Sequence, residues 1–164
     1  AKKAFVRAAE LAHAAGRKVA ITLSDSFCVD RHRDEFRALV EAHIDILFAN
    51  EDEICSLYQV NRFDDAMQAV RGHCEIACLT RSEKGSVILS GDAVHVIDAE
   101  PASRILDTTG AGDQFAAGFL YGYAKGRDLA TCGVIGGIAA AEIIAHYGAR
   151  PETDLGELMR ARLG

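Results

Sequence analysis

Residues 104–126 constrain this chain more than any other stretch. Ile105 and Leu106 form a short apolar run that gives way to Asp107-Thr108-Thr109-Gly110-Ala111-Gly112-Asp113, after which Phe115, Phe119, Leu120 and Tyr123 recur at helical spacing. The pattern is a glycine loop opening a helix. Glycine at 110 and 112 lets backbone come close to a ligand, and the first amides of a helix have no acceptor within it, so they can point at an anion. Asp113 is placed either to cap those amides, in which case the loop is only a tight turn, or to meet a hydroxyl group brought to them.

The rest of the chain alternates between helical and extended periodicity. Phe5, Ala8, Ala9, Leu11 and Ala12 make an apolar helical stripe that Gly16 ends. Residues 18–24 read as a strand buried on both faces, 25–30 as the loop at its carboxyl end, 34–42 as a helix and 44–49 as a second strand. Asn50-Glu51-Asp52-Glu53 then opens a helix carrying Ile54, Leu57 and Tyr58, and residues 64–72 form a short helix before a third strand at 76–80. Residues 86–89 and 93–97, joined by Ser90-Gly91-Asp92, read as a β-hairpin. Gly126-Arg127-Asp128 breaks the chain ahead of a small-residue helix at 129–147, which Gly148 caps and Pro151 keeps from continuing; a last helix spans 154–163. Gly133, Gly136 and Gly137 inside the 129–147 helix point to close helix packing or a ligand face. Alternating strands and helices predict an α/β fold with a mostly parallel sheet, whose ligands bind at the carboxyl ends of the strands.

Composition narrows the function classes. A net charge of −6 with no basic cluster argues against non-specific nucleic-acid binding, so a polyphosphate must be held by local amides, metal ions and a few cations. Five scattered cysteines are an odd number and do not suggest a disulfide framework; Cys74 and Cys78 beside His73 lack a second ligand pair at zinc spacing and read as buried structural thiols. No apolar run approaches the roughly 20 residues of a membrane helix, and the first residues lack a signal peptide's apolar core, so a cytoplasmic location is expected.

Asp107 to Asp113, with Phe115 and Gly118 following, resemble the second signature of the ribokinase-like (PfkB) carbohydrate and nucleoside kinases. The resemblance implies a three-layer α/β/α, Rossmann-like fold with the β-hairpin at one side of the sheet. It also implies that Gly110, Ala111 and Gly112 form an anion hole for the transferring phosphoryl group, that Asp113 is the base, and that Asp107 and Thr108 belong to the nucleotide-binding loop. Asn50 and Glu53 match the family's Asn-x-x-Glu motif, which organises Mg2+ and its waters around the ATP phosphates; on the residues alone, acidic side chains there equally complement a helix dipole. Thr80 and Gly85 fall where the family has a Thr-x-Gly-x-x-Gly loop beside the nucleotide, although Ser82 stands where its first glycine is usual. By the same resemblance the 129–147 helix forms one wall of the adenine pocket, and a monovalent cation such as K+ binds near Asp107 and the loop after that helix.

The resemblance covers the whole chain, but the family's first strands, its Gly-Gly signature and its small β lid are missing. Residues 1–164 therefore read as a single α/β domain, the nucleotide-binding and catalytic C-terminal half of a larger kinase, whose sheet edge invites self-association. The implied reaction moves the γ-phosphoryl group of ATP to a hydroxyl of a small nucleoside or sugar, with no nucleic-acid or membrane partner. Ser24-Asp25-Ser26-Phe27-Cys28 and residues 50–58 resemble adenosine-kinase-type members, with a sugar kinase of ribokinase or fructokinase type as the alternative. A non-catalytic nucleotide-binding fragment is the reading from another class. An NAD-binding Rossmann unit is disfavoured, because the glycine loop follows several strands and lacks the third glycine of that fingerprint.

Overall fold

The computed structural model describes residues 2–164, which form five strands and eight helices. The order is α1 (Lys2–Ala14), β1 (Ala20–Thr22), α2 (Ser26–Arg31), α3 (Arg33–His43), β2 (Ile46–Asn50), α4 (Glu51–Tyr58), α5 (Phe63–Val70), β3 (Ile76–Thr80), β4 (Ser86–Ser90), β5 (Ala93–Ile97), α6 (Ala111–Ala124), α7 (Leu129–Ile143) and α8 (Leu155–Leu163). The strands follow one another in a single open sheet in chain order, with β1, β2 and β3 parallel. The chain divides into two compact units: residues through Thr80 with Leu89–Val94, and Arg81–Ile88 with His95–Gly164.

In the first unit, β2 and β3 are buried from Ile46 to Ala49 and from Ile76 to Leu79, the continuous apolar pattern of strands covered on both faces. Their register pairs Ile46 with Ile76 and Asn50 with Thr80, so two of the candidate site residues end adjacent parallel strands side by side. Helices α3 and α5 bury Val40 and Phe63, Ala66 and Val70 at helical spacing while turning acidic first turns to solvent.

In the second unit, α6 and α7 pack with almost no side chain between their backbones. A Cβ built on Gly118 would lie 2.8 Å from the Ile135 carbonyl oxygen, and one on Gly136 would lie 2.8 Å from that of Phe115. The interior glycines of α7 are thus explained by close packing: Gly133 faces Ile97 and Ile88, and Gly137 faces Glu100. On another side of α7, Ile135, Ile138 and Ala139 form a buried cluster with Met159 of α8.

Five expectations need correction. The first strand covers only residues 20–22, and its side chains are exposed, half-buried and exposed instead of buried on both faces, because it stands at one end of the strand order with a partner on one side. The loop after it contains α2, started by the Asp25 carboxylate accepting from the Cys28 amide at 2.7 Å. Helix α7 ends at Ile143 and not at 147: the Ala145 amide bonds to the Glu142 carbonyl at 3.2 Å instead of continuing the α pattern, and the Ile144 and Ala145 carbonyls are taken by the Leu106 amide and Arg104 Nε, both at 2.8 Å. Gly148 (φ +94°) therefore caps no helix. Of the five cysteines only Cys78 and Cys132 are fully buried; Cys74, expected to be buried, is partly exposed. No helix among the described residues is long and apolar enough to cross a membrane.

The α6–α7 packing can be tested directly. Alanine ordinarily gains about 1 kcal/mol over glycine inside a helix, whereas a methyl group driven against a neighbouring backbone costs roughly 1–3 kcal/mol. Gly136→Ala should therefore lower the thermal midpoint, by about 2–4 °C for each kcal/mol lost; circular dichroism melts showing a raised midpoint would remove the packing argument.

Candidate active site

The glycine loop lies wholly in the second unit, where one carboxylate organises it. Asp107 Oδ1 accepts from the Thr109 amide at 2.9 Å and Oδ2 from the Gly148 amide at 3.0 Å, joining residues 41 positions apart. The Gly148 amide first, then Thr109, hold the Asp107 carboxyl down at about 2, well below the usual carboxylate range. The chain then turns through Gly110 in the left-handed region (φ +81°), with the Ala111 amide bonded to the Thr108 carbonyl at 3.1 Å and the Gln114 amide to that of Gly110 at 2.9 Å. Only glycine fits at 110 on two counts, since a Cβ there would also lie 2.7 Å from the Ala149 methyl.

Helix α6 has Gly110 as its N-cap and no side-chain cap. Asp113, its third residue, thus does not serve as a cap, and its carboxylate is exposed. Among the described residues the Gly112 and Asp113 amides find no acceptor within the chain, and the space a Cβ of Gly112 would enter is open to beyond 4 Å. Unpaired amides and an outward carboxylate share one helix terminus, the arrangement that receives an anion beside a proton acceptor.

In the first unit, Asn50 and Glu53 form a reciprocal capping box at the start of α4. Glu53 Oε2 accepts from the Asn50 amide at 2.9 Å and Oε1 from Asn50 Nδ2 at 2.8 Å, while Asn50 Oδ1 accepts from the Glu53 amide at 2.8 Å. Burial pushes the Glu53 carboxyl up; the Asn50 amide pulls it down, and the charges of Asp25 and Asp52 push it up again. Among the described residues no three His, Cys, Asp or Glu side chains gather to ligate a metal. The pair therefore fits a contact to magnesium through water, each carboxylate oxygen keeping a lone pair beyond its single bond to Asn50.

Thr80 ends β3 opposite Asn50. Gly85 is required by its own unit, because a Cβ there would fall 2.0 Å from the Ile97 carbonyl oxygen. Ser82, at the position where the family usually has glycine, adopts φ +52°, keeping the left-handed backbone without the residue that favours it. The second unit also holds a cavity of about 360 Å3, walled by Ile138, Ala141 and Ala145 on the α7 side and by Glu100, Arg104 and Arg162.

What the sequence reading missed is the segment after α7. Gly148 and Ala149 seat the loop at Asp107 and Gly110, and the only local signal is a glycine ahead of Pro151, which reads as a helix cap. Because the folded pKa of Asp107 is depressed, its contribution to stability is complete above the unfolded value of about 3.9 and is lost as pH falls toward about 2. Asp107→Asn should be less stable than wild type near neutrality, and the gap should close across that acid window. Urea midpoints at a series of pH values check this, and a gap independent of pH would show that the two amides do not hold an ionised carboxylate.

The chain is similar to proteins already known. The chain superposes on a probable sugar kinase from Rhizobium etli with a TM-score of 0.96 and 46% identity, covering 98% of this chain and 49% of that one. It superposes on an adenosine kinase from Sinorhizobium meliloti with a TM-score of 0.95 and 44% identity, covering 98% and 50%. A nucleoside kinase from Methanocaldococcus jannaschii is 36% identical over 108 residues, 65% of this chain and 34% of that protein. The chain thus spans half or less of the length of these relatives. Residues 1–154 match the pfkB family of carbohydrate kinases, and the chain belongs to that family.

Proposed function

We propose that residues 1–164 are the nucleotide-binding and catalytic half of a larger kinase that transfers the γ-phosphoryl group of ATP to a hydroxyl of a nucleoside or sugar. The observation that carries the reading is the start of α6, where unpaired amides stand beside the exposed Asp113 carboxylate. Asp113 accepts the proton of the attacking hydroxyl. The Gly112 and Asp113 amides bear the charge that builds on the γ-phosphoryl oxygens, already aimed before the substrate arrives, so transfer needs little reorganisation, while the Ala111 amide is taken by the Thr108 carbonyl. Asp107 and Thr108 act by holding this turn in shape.

Asn50 and Glu53 would hold Mg2+ through its waters, and the ion, when bound, offsets phosphate charge and orients the leaving group. Thr80 and Gly85 border the nucleotide, and the base lies along α7 by the same reading. A monovalent cation such as K+ near Asp107 belongs to the same reading. So do a cytoplasmic location and the self-association of this half through its β1 edge. An adenosine-like acceptor is favoured by residues 24–28 and 50–58 and by the name of the Sinorhizobium relative; the Rhizobium relative's name keeps a sugar in view.

In the full-length protein, Asp113→Asn should lower kcat by roughly 100- to 10,000-fold with nucleotide affinity little changed. A coupled kinase assay over adenosine, cytidine, ribose and fructose, with calorimetry for ATP, measures both. Near-normal turnover would take the role of base away from Asp113, and intact ATP binding with no phosphorylated product from wild type would favour a non-catalytic nucleotide-binding protein.

A further inference from the structure

The turn at 107–110 has bonds of its own, and it also rests on residues 144–149. The Leu106 amide bonds to the Ile144 carbonyl at 2.8 Å, Arg104 Nε to the Ala145 carbonyl at 2.8 Å and the Gly148 amide to Asp107 at 3.0 Å, while Ala149 packs under Gly110. Irregular backbone of this kind opens easily unless something ties its ends.

One side chain ties them. Glu142, in the last turn of α7, reaches over the segment that follows it. Its Oε1 accepts from the Glu152 and Thr153 amides, both at 2.9 Å, and its Oε2 lies 3.3 Å from His146 Nε2. The Glu142 side chain is only 6% exposed and that of His146 only 8%, so the carboxylate works where water does not compete. Burial alone would push the Glu142 carboxyl up, but the Thr153 amide, His146 and the Glu152 amide together bring it below its ordinary value and keep it ionised. Removing it would leave two amides without their acceptor and His146 with only the more distant of its two carboxylate partners, Glu152 at 4.0 Å.

We propose that Glu142 is a positioning residue: by closing the 144–153 segment on itself it holds Gly148 and Ala149 where they shape the anion-binding turn. Glu142 itself touches no substrate. The coupling rests on geometry alone; its consequence for turnover rests on the kinase reading above.

The test uses full-length protein carrying Glu142→Ala or Glu142→Gln, with hydrogen–deuterium exchange followed peptide by peptide. The alanine variant should exchange faster in peptides covering 104–112 as well as 144–153. Glutamine keeps a carbonyl oxygen for the two amides and should hold 104–112 near the wild-type rate. In the same preparations Glu142→Ala should lower kcat about 10- to 100-fold with acceptor KM changed far less, since a misplaced turn harms transfer more than binding. Faster exchange confined to 144–153 overturns the proposal, as does an alanine variant with wild-type kcat. If wild type phosphorylates nothing, the kinase reading fails while the exchange comparison still decides the coupling. Should the alanine variant not fold, Glu142→Asp, one methylene too short to reach both amides, gives the same comparison.

Discussion

Two backbone amides, Thr109 and Gly148, share the two oxygens of Asp107, and the shape of the site depends on that sharing. A carboxylate accepting two amide bonds is charge-assisted and directional, so it fixes both the start of the turn and the distant segment against which the turn lies. With those ends set, Gly110 turns left-handed over Ala149 and α6 begins without a side-chain cap. The amides that a Ser or Asp cap would have used are left facing outward. An unfilled cap is ordinarily a small loss of helix stability; here it leaves amides open to the anion proposed above.

The α6–α7 pair supplies the platform. Glycines 118 and 136 bring one helix backbone against the carbonyls of the other, and neither helix has a flexible side chain at those points with which to adjust. A turn mounted on such a pair inherits its rigidity, and catalysis by preorganised amides requires that, because dipoles that must reorient during transfer contribute little. The segment after α7 belongs to the same unit through the buried Glu142 carboxylate and its three partners.

In the other unit the parallel register brings Asn50 and Thr80 to the same level at the strand ends. The Asn50–Glu53 pair is a structural motif first. Its spacing is that of a capping box, and the box is formed. Capping uses one lone pair on each carboxylate oxygen and leaves the others for water, so it does not compete with the proposed contact to magnesium through water.

Much of this was legible in the residues in order. Periodicity located both buried strands, the hairpin and most of the helices. The seven residues 107–113 announced the loop, and Asn50 with Glu53 announced a helix start, because a turn, a cap and a helix terminus are built from neighbours in sequence. Burial of β1, the true end of α7 and the work of Gly148 were not legible. Each depends on what comes from far along the chain: the number of strands beside β1, the Leu106 amide and Arg104 capturing carbonyls that would otherwise face solvent, and a carboxylate 41 residues away. The order of residues by itself determined that a glycine turn opens a helix in an α/β chain, since local backbone chemistry suffices for that. Only the tertiary structure decided that Asp113 is left exposed instead of capping the helix, and that Glu142 closes the segment beneath the turn, because long-range packing assigns each carboxylate its donors.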